Sequence, residues 1–91
     1  MTARTLLFDR GDRVALVFEE GRWVAPALDP APGAPVWSRG DLAVHSAVIA
    51  PGEEPAGARW WSLAELLAER PPFDPPELVD LIRRQLPSCF A

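Results

Sequence analysis

Two acidic pairs, Glu19-Glu20 and Glu53-Glu54, are the residues of this 91-residue chain best suited to a divalent cation, which needs several converging oxygens. Both pairs stand in segments that read as solvated turns, so no metal site and no cofactor is expected from them. His45 is the sole histidine, and an imidazole can act as acid, base or ligand contact near neutral pH. It has no evident partner in sequence, however, and a lone strand histidine among apolar neighbours reads first as a hydrogen-bonded interior or interface residue. No serine or cysteine stands in a nucleophile motif, and no glycine-rich loop could cradle a phosphate. Four tryptophans remain. Trp23 and Trp37 flank a proline-rich stretch, with Arg22 and Arg39 beside them, and indole faces with guanidinium groups could hold a nucleotide-like anion by stacking and charge. The same rings could simply fill space in the core. The candidate ligand-binding or interface residues are therefore Trp23, Trp37, Arg39 and His45, and no catalytic residue is assigned.

The elements that must position these residues follow from hydrophobic period and turn chemistry. Leu6 to Asp9 and Val14 to Glu19 are β-rich runs separated by Arg10-Gly11-Asp12, which reads as a hairpin, and Arg22 to Ala25 reads as a third, shorter strand. Pro26 to Pro35 carries four prolines and a glycine and should be an extended loop, after which Val36-Trp37-Ser38 could briefly rejoin a sheet. Leu42 to Ala50 is the strongest strand, with Leu42, Val44, Ser46 and Val48 on one face and Ala43, His45, Ala47 and Ile49 on the other. Residues 51–55 read as a solvated loop and Ala58 to Trp61 as one more strand, with Trp60 in the core and Trp61 on the opposite side. Ser62-x-x-Glu65 has the form of a capping box opening a helix to about Glu69. Asp74-Pro75 reads as the start of a second helix whose apolar stripe is Leu78, Val79, Leu81, Ile82 and Leu86, ended by Pro87.

These elements describe one α+β domain over 1–91, a small mixed or antiparallel β-sheet with two C-terminal helices, in which 26–41 is a proline-rich loop and 87–91 a tail expected to fray. The net charge of −4 and pI near 4.8 argue against nucleic acid or an anionic membrane as partner. All nine basic residues are arginine, which suggests a GC-rich bacterial source. The start lacks a signal-peptide pattern, and no apolar run approaches the roughly 20 residues that span a bilayer, so a cytoplasmic location is expected. The single cysteine, Cys89, cannot form an internal disulfide.

The order of these segments resembles a Nudix hydrolase. The entry hairpin leads into Gly21-Arg22-Trp23-Val24-Ala25-Pro26, similar to that family's Gly-x-Trp-x-x-Pro stretch. Farther on, Val44 to Ala50, Gly52-Glu53-Glu54 and Trp60-Trp61-Ser62-Leu63-Ala64-Glu65-Leu66 are similar to its late strand, acidic loop and final helix entry. The resemblance implies a metal-dependent hydrolase fold, but the loop-helix signature whose glutamates hold magnesium or manganese should lie between Pro26 and Asp41. That interval holds no Arg-Glu or Glu-Glu pair and has too many prolines for a helix. The resemblance therefore implies a miniature, non-catalytic relative, a binding or assembly module. Its alternatives are a divergent metal-dependent hydrolase of a nucleoside-diphosphate-like compound, or a subunit completed by another chain.

Loss of a covering helix would also leave one face of a two-sided apolar sheet open. An open patch of about 400 Å² corresponds to something on the order of 10 kcal/mol of gross burial, so a homodimer or a protein partner is expected to cover it.

Overall fold

In the computed structural model, residues 2–28, 33–73 and 76–86 are described. The central strand is β1 (Thr2–Phe8), which extends four residues further toward the start of the chain than its apolar run predicts. Pairing is the reason. All seven of its residues run parallel to β5 (Leu42–Val48), in register from Thr2 opposite Leu42 to Phe8 opposite Val48, so polar Thr2 and Arg4 are drawn into the strand by tertiary contact. On its other side β1 meets β2 (Arg13–Glu19) antiparallel, at Leu7–Ala15 and Phe8–Val14.

The sheet is completed by short strands: β3 (Arg22–Val24) and β6 (Arg59–Ser62) both pair antiparallel with β2, and β4 (Trp37–Arg39) pairs antiparallel with β5. The order is β3-β2-β1-β5-β4, with β6 on β2, a mixed sheet of six strands. Two tight hairpins pin the register. Glu20 and Gly21 both take positive φ, 52° and 80°, between β2 and β3, as a type I′ turn requires. Gly40, at φ 56°, turns the chain from β4 into β5.

Ser62 ends β6 and caps α1 (Leu63–Glu69). Its hydroxyl accepts from the Glu65 amide at 3.1 Å while the Glu65 carboxylate accepts from the Ser62 amide at 2.9 Å, the reciprocal capping box expected from the sequence. The second helix, α2 (Leu78–Gln85), has Glu77 at its N-cap position with no side-chain cap bond. Asp74 and Pro75, the expected start, and Pro87, the expected stop, lie outside the described residues.

Strand alternation sorts the core. Leu6, Phe8, Val14, Leu16 and Val44 share the face that the helices close with Leu66, Leu78, Leu81 and Ile82. Trp61 joins them at 2% exposure, because pairing opposite Val14 sends its ring to the helix side. This corrects the expectation that Trp60 would be the core indole: Trp60 pairs with Ala15, faces the other way and is half-buried.

The second face also departs from expectation. Thr5, Leu7 and Ala15 are at most 1% exposed, Ala43 is 5% and His45 is 7%, so the centre of this face is closed within one chain. Its buried side chains are mostly small (Thr5, Ala15, Ala43), whereas the helix-facing side carries Leu6, Phe8 and Leu16. The large exposed apolar residues, Phe18, Val36, Val48 and Leu67, belong to different segments.

Candidate ligand cleft

The parallel pair β1–β5 ends with Phe8 opposite Val48, and the ladder gains one more bond where the Ile49 amide donates to the Phe8 carbonyl at 2.8 Å. Beyond this point the two chains diverge into separate turns. Between the turns lies a cleft of about 630 Å³, lined by Asp9, Arg10, Gly11 and Arg13 on one strand exit and by Val48 to Pro51 and Glu53 on the other. The carboxyl ends of parallel strands are a recurrent place for ligands, because the diverging chains leave a crevice there.

The first turn is organised by Asp9. Its backbone amide donates to the Arg13 carbonyl at 2.9 Å, and its Oδ1 accepts from the amides of Gly11 (2.9 Å) and Arg13 (2.8 Å). Its Oδ2 accepts from Arg13 Nε at 2.7 Å. Asp12 completes the three-residue loop at φ 61°, a conformation short polar side chains tolerate better than others. Burial of the Asp9 carboxyl would by itself raise its pKa, but the bonds from the Arg13 amide and guanidinium and from the Gly11 amide outweigh that, and the group is held below the ordinary value of 3.8. Asp9 is therefore an ionised clamp on its own turn.

Arg13 is correspondingly fixed. Its Nε is held by Asp9, and its guanidinium carbon lies 5.7 Å from the centre of the Trp60 ring. The terminal amino groups make no hydrogen bond among the described residues. Arg10 and Glu53 line the same cleft, exposed and without an ion pair among the described residues.

The second turn is set by Pro51 and Gly52. The Glu53 amide donates to the Ala50 carbonyl at 3.1 Å, and Gly52 takes φ 99°, the arrangement of a type II turn. Glu54 Oε1 accepts from the Gly52 amide at 2.6 Å. Its own amide and that of Gly52 hold its carboxyl below the usual glutamate range.

The residues singled out from sequence are distributed differently. Trp37 and Arg39 are together on β4, with the guanidinium 5.2 Å from the indole centre, and Arg39 also pairs with Glu77 at 2.8 Å. Trp23 packs edge-on against Phe18 (5.2 Å) and Trp61 (5.1 Å), and its amide donates to the Pro72 carbonyl. His45 stands opposite Thr5 on the face away from Trp37, which is opposite Val44. One groove containing all four is thus not formed by the sheet. Of the acidic pairs, Glu19 is joined to Arg4 at 3.3 Å. Among the described residues no group of three or more histidine, cysteine, aspartate and glutamate side chains converges as metal ligands. Asp9, Arg10 and Arg13 escaped sequence reading, although Asp9-x-Gly11-x-Arg13 carries a usable signal: an aspartate able to accept from amides two and four residues later, followed by an arginine at the second of those positions.

No known protein family, curated protein or solved structure compared with the chain matches it. The fold itself is a small α+β domain with a mixed six-stranded sheet and two helices. Among the described residues no helix is long and apolar enough to cross a membrane.

Proposed function

We propose that this chain is a non-catalytic binding module of Nudix-like descent, acting in a bacterial cytoplasm, whose small-molecule site is the cleft at the carboxyl ends of β1 and β5. The observation that carries this reading is the cleft's construction. Its one buried carboxylate, Asp9, is engaged on both oxygens by two amides and Arg13, which makes it a group that positions an arginine. What the cleft presents to a visitor is charge and apolar surface on two hydrogen-bonded turns, which is the composition of a recognition site.

The reading is tested by native mass spectrometry and amide NMR of the intact chain with a mixed pool of nucleotides, amino acids and organic acids, with and without magnesium. The expected result is metal-independent retention of one or more compounds, unchanged in mass, with shifts at residues 9–13 and 48–53. Metal-dependent conversion of a pool member, or binding that leaves those amides unmoved, would overturn it.

A further inference from the structure

The cleft contains charges of both signs that do not neutralise one another, and this restricts the ligand it can take. Arg10 and Glu53 both line it, yet no ion pair joins them or ties either to another described residue. Arg13 adds a guanidinium whose Nε is held by the buried Asp9 carboxylate and whose carbon lies 5.7 Å from the centre of the Trp60 ring. Its terminal amino groups remain as donors in the fork geometry that suits a carboxylate or phosphate. Val48, Ile49 and Pro51 also line the cleft and offer apolar contact with no further charge.

Resting on the binding-module reading, we infer that the cleft selects a small zwitterion, with a forked oxyanion on Arg13 and Arg10 and an ammonium group toward Glu53. A simple anion would gain the arginines but face the uncompensated Glu53 carboxylate. A simple cation would meet the reverse. Only a ligand carrying both groups, separated by a short apolar segment, satisfies each wall, and discrimination against singly charged analogues then comes from repulsion as much as attraction. The orientation of Arg13 is fixed before any ligand arrives, which lowers the ordering cost of binding.

The test is an amide NMR titration of the full chain with γ-aminobutyrate and phosphoethanolamine, which present a carboxylate and a phosphate respectively, beside butyrate and butylamine as singly charged analogues. At least one zwitterion should shift residues 9–13 and 49–53 and bind about tenfold tighter than either analogue, the size of one charge-assisted contact. Whichever zwitterion binds identifies the oxyanion. Because Arg10 and Glu53 are exposed and unpaired, R10Q and E53Q should leave thermal unfolding unchanged while each weakens that binding several-fold, and R84Q on α2 should leave it unaltered. Equal binding of butyrate together with an unaffected E53Q would overturn the zwitterion inference and leave the binding module standing. So would binding of some other pool member at the same amides while both zwitterions fail. Failure of every probe and of the whole pool to move those amides would overturn both.

Discussion

Replacing Asp9 is the most informative perturbation of the fold, because one buried carboxylate holds the β1–β2 turn and aims the cleft arginine. Asp9→Ala removes three acceptor contacts, those to the Gly11 amide, the Arg13 amide and Arg13 Nε. Bonds to a charged acceptor are worth about 1.5–3 kcal/mol each when nothing replaces them. Gly11 is exposed and the Arg13 side chain is 48% exposed, so water recovers most of two of the three, and the Arg13 ion pair must be discounted for the same reason. The net cost is then about 2–3 kcal/mol, or a fall in Tm of about 8–24 °C for a domain of this size. Asp9→Asn keeps an acceptor for the two amides but turns an NH2 donor toward the Arg13 Nε–H, which must swing to solvent, so it should cost about 1–2 kcal/mol.

The pH dependence separates the two effects. With its folded pKa below the ordinary 3.8, Asp9 contributes stability that is fully present above that value and is lost as pH falls through the lower, folded value. Asp9→Asn should therefore flatten the acid limb of a denaturation series run from pH 6 downward. Urea unfolding followed by tryptophan fluorescence reads both quantities. If Asp9→Ala lies within about 0.5 kcal/mol of the parent chain, the scale of an ordinary surface change, or if Asp9→Asn keeps the full acid dependence, the clamp is not what holds this turn.

Three further outcomes are expected. Ser62→Ala breaks the capping box at its hydroxyl and should cost about 1 kcal/mol, with the loss confined in hydrogen exchange to α1 and the Trp60-Trp61 strand. Trp61→Ala empties a site that is 2% exposed between β2, Trp23 and the helices, and should cost about 3–5 kcal/mol; Trp60→Ala, on the half-buried side, should cost clearly less, and the reverse order would show that the register of β6 is misassigned. Gly21→Ala puts a side chain at φ 80° in the β2–β3 turn and should cost about 1 kcal/mol in urea unfolding; an unchanged midpoint would mean that the turn does not hold this backbone conformation.

The local signals were legible where one residue type has one physical use. Ser62 and Glu65 announced a helix start, and the Arg10-Gly11-Asp12 turn and the alternation through Val14 to Glu19 announced a hairpin arm. The parallel β1–β5 pairing was not legible, since nothing in Thr2 to Thr5 marks it as strand until Leu42 to Thr-facing His45 lies beside it. The Gly40-Asp41 turn carries a weak signal because β4 is only three residues long and exposed on two of them. At the site, tryptophan and histidine stand out in sequence because their chemistry is their own. Asp9 and Arg13 instead acquire their role from a turn that brings them within hydrogen-bonding reach, and Trp60 and Trp61 exchanged places because one step of register inverts a strand.

The pairing of β1 with β5 also governs how the domain can form. Its partners are separated by roughly forty residues of chain, so the centre of the sheet cannot close when β1 is synthesised and must wait until β5 has emerged. The β2–β3 hairpin, by contrast, joins residues only a few positions apart. Assembly is thus expected to begin at the local hairpins and to reach the central ladder late, as loop-closure entropy makes distant pairings slow. The same delay applies to the cleft, whose two turns are brought together only by that ladder. A ligand-competent cleft is accordingly a late product of folding, and hydrogen exchange during refolding should protect β2 and β3 before β1 and β5.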